Sequence, residues 1–512
     1  MAADAPWNLS TLLLDAHLDA GNGARTAIRY QGRSTTYSEL AGLVARTGNA
    51  LHELGVDREQ RVAMLIADRP EFIATFLGAV RIGAVAVPLN TLLRPAEAIE
   101  LIQHCGATAL VAEASILDGL RPLLPSAERL RVVVAVGGAA PDALSFDALC
   151  AAARAELAPA DTVRDDMCFW QYSSGTTGRP KAVMHRQYDY TVNTEAYGRA
   201  VIGMTADDRS FSLAKLFFSY GLGNSMAFPL RYGASTILHP DRPEPRAVLD
   251  LIRTERPTLF YAVPTAYAQI LALAEREPDL ADLSSIRHCV SAGEALPAAL
   301  FERWKARFGV EILDGIGTTE ILHIFLSNPP GRARPGSSGL AVPGYEARIV
   351  DEEGLPVPQG EIGSLRVKGD STMAYYWNQH EKTKATLFGE WIQTGDKYYQ
   401  DKDGYFWYCG RSDDMLKVGG IWVSPVEVEA TLIKHPAVLE AAVVGKEDTD
   451  RLVKPKAFVV LKEPWKASDE LADELKGFVK DKIAPYKYPR WIEFVGELPK
   501  TATGKIQRFK LR

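Results

Sequence analysis

The sequence predicts an α/β protein: a large N-terminal domain holding two doubly wound α/β units and a small β-barrel or sheet, then a small α+β C-terminal domain. Three observations predict it. At 512 residues the chain is too long for a single core. Short apolar runs alternate with segments of helical apolar spacing from residue 25 to 320, the pattern of parallel sheets covered on both faces. From 335 to 410 the texture changes to short strands between Asp, Gly and Pro turns, and a compact αβ piece follows Arg411.

Taken in order, 26–30 and 33–37 read as a hairpin about Gln31-Gly32, and 38–54 as a helix closed by Gly55. Residues 62–66 form a buried strand, 70–82 a helix with Pro70 near its start, and 84–88 the next strand. Strands at 109–112, 132–136 and 167–170 extend this unit. A second unit has strands at 209–214, 234–238, 259–263 and 288–292. Strands at 347–350, 361–367 and 405–408 belong to the β element. Beyond it lie a helix at 425–435, strands at 438–444 and 456–461, and a helix at 468–483. The domain boundary is expected between 411 and 412.

Hydrophobic content of 47%, 24% charged residues and a net charge of −6 are ordinary for a globular protein and argue against a nucleic-acid partner. No run approaches 18 apolar residues and the start carries no secretory pattern, so a cytoplasmic protein with no membrane partner is expected. Five scattered cysteines and nine dispersed histidines show no metal-ligand spacing.

The stretch from Tyr172 to His185 reads Tyr-Ser-Ser-Gly-Thr-Thr-Gly-Arg-Pro-Lys-Ala-Val-Met-His. Its hydroxyls (Ser173, Ser174, Thr176, Thr177), the glycines 175 and 178, and Lys181 could wrap a polyphosphate at the end of a strand. The spacing is not that of a Walker A loop, and on composition alone such a loop is equally an ordinary turn. The stretch resembles the phosphate loop of the adenylate-forming superfamily of acyl-CoA synthetases, luciferases and peptide-synthetase adenylation domains, with Ala182 where Gly is usual.

Five further segments carry the resemblance in order along the chain. Ser291-Ala-Gly-Glu-Ala-Leu-Pro is similar to the segment lining the adenine pocket, which implies Ala292, Gly293, Glu294 and Ala295 there. Asp314-Gly-Ile-Gly-Thr-Thr-Glu320 resembles the next motif, with Ile316 in place of Tyr. It implies Asp314 and Gly315 in the nucleotide site, Thr319 at the α-phosphate and Glu320 as ligand to Mg2+, although Thr-Thr-Glu also suits a helix cap. Thr394-Gly-Asp396 and Gly410-Arg411 imply Asp396 and Arg411 on the ribose, with Asp413 as an interdomain hinge that makes the C-terminal domain mobile. Pro499-Lys-Thr-Ala-Thr-Gly-Lys505 implies Lys505 at the developing charge during adenylation, and makes it a target for a lysine acetyltransferase.

No aspartate lies between Asp208 and Asp241, which disfavours an amino-acid substrate. Lys215-Leu-Phe-Phe-Ser-Tyr-Gly-Leu-Gly-Asn and Glu320-Ile-Leu-His-Ile resemble the benzoate-CoA ligase branch. The implied acyl pocket holds Phe218, Ser219, Tyr220, Gly221, His323 and Ile324, though the aromatics could equally be core. The resemblance implies an ATP-, Mg2+- and CoA-dependent ligase for a small aromatic carboxylate, working through an acyl-AMP. Domain rotation then brings Lys417, Gly419 and Gly420 to the site for CoA. Another small cyclic or aliphatic acid, or a carrier-protein phosphopantetheine as acceptor, stays open, as does a homodimer.

Overall fold

The computed structural model describes residues 5–173, 180–242, 244–412, 414–418, 421–449, 452–500 and 506–512. Two large sheets carry the N-terminal part. The first has seven strands, in the order Leu144–Ser145, Val132–Val136, Ala109–Glu113, Arg61–Leu65, Val85–Pro88, Met167–Ser173 and Lys181–Arg186. All neighbours pair in parallel except the last, which returns antiparallel with Tyr172 opposite Ala182 and Ser173 opposite Lys181.

The second sheet has nine strands. Its parallel centre runs through Thr26–Tyr30, Ser235–Leu238, Arg209–Ser212, Leu259–Ala262, His288–Ser291 and Ile312–Gly317. The hairpin expected at 26–37 forms, with Gln31 at φ 49° and Gly32 at φ 75°, the paired positive angles of a two-residue turn. Yet it pairs with Ser235–Leu238, Ile28 opposite Thr236, and so belongs to the second sheet rather than to the unit it begins.

Helix Tyr37–Glu53 starts on a reciprocal cap: the Glu39 N–H donates to Thr36 Oγ1 at 3.2 Å and the Thr36 N–H to Glu39 Oε2 at 2.7 Å. It buries Leu40, Val44 and Leu51 at helical spacing and packs on helix Pro70–Arg81. Phe76, Phe169, Tyr190, Leu216, Phe217 and Leu230 then fall in one buried cluster. The two α/β units thus share an apolar core.

Of the barrel and the sheet expected for 335–410, the pairing shows a sheet. Glu346–Val350, Gly363–Lys368 and Trp391–Gln400 run antiparallel, with Leu387–Phe388 and Phe406–Arg411 both on the third. The C-terminal domain stacks helices Pro425–Leu432 and Asp469–Lys482 against strands Val438–Glu447, Val453–Leu461 and Trp491–Phe494. All five cysteines are buried and free. Among the described residues no helix is long and apolar enough to cross a membrane.

Candidate active site

Strand Met167–Ser173 ends at Ser173, whose buried hydroxyl has no partner among the described residues. Ser174, Gly175, Thr176, Thr177 and Gly178 lie outside the described residues. The chain returns at Lys181, whose ammonium lies 3.4 Å from Glu320 Oε1 and 3.2 Å from the Tyr376 hydroxyl, 4.7 Å above that ring. The Tyr376 hydroxyl donates to the same Glu320 oxygen at 2.6 Å. Burial pushes the Glu320 carboxyl up, but Lys181 and Tyr376 outweigh it and hold it below the usual carboxylate range. Tyr376 carried no motif in the sequence reading.

Glu320 sits on a short turn, Thr319–Ile321, whose start is capped by Thr318 accepting the Ile321 N–H at 3.3 Å. Capping therefore falls to Thr318, leaving the Thr319 and Glu320 side chains for other work. Three consecutive carbonyls of the turn are tied down: Thr319 by the His185 ring at 2.7 Å, Glu320 by the Met373 N–H at 2.8 Å, and Ile321 by the Ser371 hydroxyl at 2.7 Å. Among the described residues, the side-chain hydrogen bonds to Glu320 all fall on Oε1. Its Oε2 could hold a hard cation.

The nucleotide candidates lie at the carboxyl ends of the neighbouring strands. Ala292 is buried just past His288–Ser291, and Gly293 turns the chain at φ 92°. Glu294 is engaged locally: its Oε2 accepts from Thr265 Oγ1 at 2.9 Å, at the start of helix Pro264–Arg276. Ala295 is exposed beside it. Asp314 and Gly315 are buried in strand Ile312–Gly317, and burial raises the Asp314 carboxyl well above its usual range. Asp396 and Arg411 stand opposite each other on paired strands, Arg411 Nη1 donating to Asp396 Oδ1 at 3.1 Å. Arg411 also feels the Glu320 charge, which joins this pair to the Lys181 cluster.

The acyl candidates divide between wall and core. Tyr220 donates to the Val290 carbonyl at 3.0 Å and lies 5.5 Å, centroid to centroid, from the His323 ring. Phe228 meets the same histidine edge-on at 4.7 Å. Burial in this aromatic box pushes His323 down to about 3, so the ring is neutral, its Nε2 set 3.1 Å from Asn224 Oδ1. A Cβ on Gly223 would fall 2.6 Å from His323 Cδ2, and one on Gly221 2.1 Å from the Lys215 carbonyl oxygen, so both contacts need glycine. Ser219 donates to Gln171 Oε1 at 2.6 Å, leaving the Gln171 Nε2 buried without an acceptor among the described residues. Phe218 packs on Phe217 at 4.6 Å, and Ile324 is buried in a core strand. Sequence reasoning assigned no role to Gln171, which has no motif, or to Asn224, which ends the motif begun at Lys215; both reach the wall through the fold.

At the far end, Asp413, Gly419, Gly420, Lys505 and the side chain of Lys417 lie outside the described residues. Around Lys505 the chain is pinned: Lys500 bridges to Ile506, the Gln507 N–H donates to the Pro499 carbonyl at 2.8 Å, and Arg508 pairs with Glu429 at 2.7 Å.

The model for AMP-binding enzymes matches residues 16–377, and that for the AMP-binding enzyme C-terminal domain matches 427–505. The chain belongs to the AMP-binding enzyme family. This AMP-binding enzyme is 49% identical over 510 residues to a benzoate–CoA ligase of Thauera aromatica, covering 99% of the chain and 96% of the relative. It is 46% identical over 508 residues to a 4-hydroxybenzoate–CoA/benzoate–CoA ligase of Rhodopseudomonas palustris, covering 99% and 94%. An anthranilate CoA ligase solved with anthranoyl-AMP superposes with a TM-score of 0.95 at 46% identity, covering 100% of the chain and 98% of that structure. A benzoate CoA ligase from Burkholderia xenovorans gives 0.91 at 46%, covering 99% and 100%.

Proposed function

We propose that this enzyme is an aryl carboxylate–CoA ligase acting on benzoate or a substituted benzoate. The observation that carries the reading is a two-ended site. Lys181, Glu320 and Tyr376 form a charged end, and His323, three residues beyond Glu320, opens an apolar aromatic end. The full-length relatives whose names state benzoate and hydroxybenzoate as substrates support it.

In the first half-reaction the carboxylate oxygen attacks the α-phosphorus of ATP, the α–β phosphoanhydride bond breaks, and pyrophosphate leaves. Residues 173–178 and Lys181 receive the phosphates, Thr319 the α-phosphate, Asp396 and Arg411 the ribose, and 292–295, Asp314 and Gly315 the base. Bound Mg2+ neutralises phosphate charge, and Glu320 would hold it. Lys505 meets the charge developing on the phosphate. In the second half-reaction the C-terminal domain, from 412 onward, turns about Asp413 and presents Lys417, Gly419 and Gly420. The CoA thiolate attacks the acyl carbon and AMP leaves. Acetylation of Lys505 would remove its charge and stop the first half only.

The test is carboxylate-dependent AMP release with ATP, Mg2+ and CoA across benzoate, hydroxy-, amino- and fluorobenzoates, cyclohexanecarboxylate, hexanoate and phenylalanine. Highest kcat/KM on a benzoate is expected. A maximum on hexanoate would discard the aromatic pocket.

A further inference from the structure

Alternate residues of a strand share a face, so Lys181 and His185 of Lys181–Arg186 point the same way, and both reach the Thr319–Ile321 turn. Lys181 does so through its ammonium on Glu320. His185 does so through its ring: Nε2 lies 2.7 Å from the Thr319 carbonyl oxygen, and Nδ1 lies 2.9 Å from Asp189 Oδ2. Both partners are acceptors. Asp189 also takes the Arg186 N–H at 3.0 Å on the same oxygen and the Arg186 guanidinium Nε at 3.1 Å on the other.

A neutral imidazole has one N–H, and either tautomer would set a lone pair against one of these two oxygens at hydrogen-bond distance. Closing both contacts takes a second hydrogen, on the ring or on the Asp189 carboxyl, so the ring bridges the two oxygens through its two nitrogens. His185 and Asp189 are each 0% exposed, so no solvent stands in for either bond. Phe169 stacks on the ring at 5.1 Å with 20° between planes, covering a face. Loss of one partner would leave a buried charge or donor unmatched, which is costly.

We propose that His185 and Asp189 are a positioning pair for the ligase reaction: the ring, held by Asp189, ties the Thr319 carbonyl to strand Lys181–Arg186, and so sets where the Thr319 hydroxyl and Glu320 carboxylate stand. The Glu320 and Ile321 carbonyls are held by Met373 and Ser371, from a different segment. The His185 bond is thus the backbone-directed link between the loop's own strand and this turn. The pair touches no substrate atom; it acts through Thr319. The inference rests on the reading that Thr319 and Glu320 serve the α-phosphate and the cation.

The test uses the full chain as wild type, His185→Gln, Asp189→Asn and Glu320→Gln. Three quantities are read: acyl-adenylate formation, thioester formation from supplied acyl-adenylate at saturation, and the calorimetric Kd for Mg·ATP. Expected for His185→Gln and Asp189→Asn is a loss of about tenfold to a hundredfold in adenylate formation and a weaker Kd, with the thioester kcat within about threefold. Ring 1H–15N spectra of the wild type at pH 7.5 supply a readout that survives any failure of His185→Gln to fold. They should show one histidine with a slowly exchanging ring N–H whose signals are displaced in Asp189→Asn. Ring signals unchanged in Asp189→Asn, equal loss of both half-reactions, or unchanged adenylate formation in Asp189→Asn overturns the proposal. If Glu320→Gln alone leaves adenylate formation and Kd intact, the roles given to the turn fail instead.

Discussion

The Tyr376 hydroxyl lies 2.6 Å from Glu320 Oε1, shorter than the 3.4 Å that separates Lys181 from the same oxygen. A hydrogen bond to a charged acceptor contributes about 1.5–3 kcal/mol. Tyr376→Phe should therefore raise the Glu320 carboxyl and slow acyl-adenylate formation by about tenfold or more, with a higher Mg2+ requirement. Pyrophosphate exchange against Mg2+ concentration measures this, and an unchanged Mg2+ curve would refute the role.

Lys505→Ala should abolish acyl-adenylate formation and largely spare thioester formation from supplied acyl-adenylate. Single-turnover assays of each half-reaction decide it. Equal loss of both would remove Lys505 from the first half-reaction.

Among the described residues, the buried Gln171 amide N–H has no acceptor while its oxygen holds Ser219. A ring substituent able to accept would satisfy it. Gln171→Leu should lower kcat/KM for hydroxybenzoates by about tenfold relative to benzoate and aminobenzoates. Equal changes on all three substrates would show that the amide reads no substituent.

Gly223→Ala places a methyl group 2.6 Å from His323 Cδ2. Overpacking of this kind costs about 1–3 kcal/mol. The expected result is a lower Tm with a raised KM for benzoate and little change in the KM for ATP. A raised KM for ATP alone would place His323 away from the acyl end.

Asp68 accepts the Leu216 N–H at 2.9 Å and lies 3.8 Å from Lys215, whose ammonium also rests on the His239 and Asp241 carbonyls at 2.6 and 2.7 Å. Burial lifts the Asp68 carboxyl from 3.8 to about 6, against the pull of Lys215 and the Leu216 N–H. The folded state then binds the proton more tightly than the unfolded chain. Stability from this group is present below about pH 4 and lost as pH rises through about 6, by up to about 3 kcal/mol. Asp68→Asn keeps the Leu216 acceptor and removes the titration. The urea midpoint of wild type minus variant should fall between pH 4 and 6.5 and then level off; a flat difference would refute the shift.

Elements with local signals were legible. Gln31-Gly32 announces its turn because a turn depends on neighbours in sequence, whereas the Thr36–Glu39 cap was not read and the helix start at Tyr37 was placed one residue late. The pairing of Asp396 with Arg411 was legible as motif, and the antiparallel register explains it. Tyr376 was not legible: its hydroxyl meets residues 56 and 195 positions away, contacts that no periodicity encodes. His185 closed the stretch read as a loop, but its role depends on Asp189 and on a carbonyl 134 residues distant. Gln171 fell between the strand read at 167–170 and the stretch from Tyr172, in neither, and the shared core of the two units brings Ser219 to it.

The strand Thr26–Tyr30 takes its parallel neighbour from Ser235–Leu238, across some two hundred residues of intervening chain. During synthesis the first strand emerges long before that neighbour exists, so its edge waits while the seven-stranded sheet assembles between them. Closing so distant a contact is slow, and the waiting edge is open to wrong partners until residue 238 arrives. The two sheets cannot be separated by cutting the chain at one point: a fragment beginning after residue 36 would expose the flank of Ser235–Leu238. Shortening from the amino end should therefore yield insoluble second-half fragments, while a permuted chain carrying 26–36 beside 235 would mature faster.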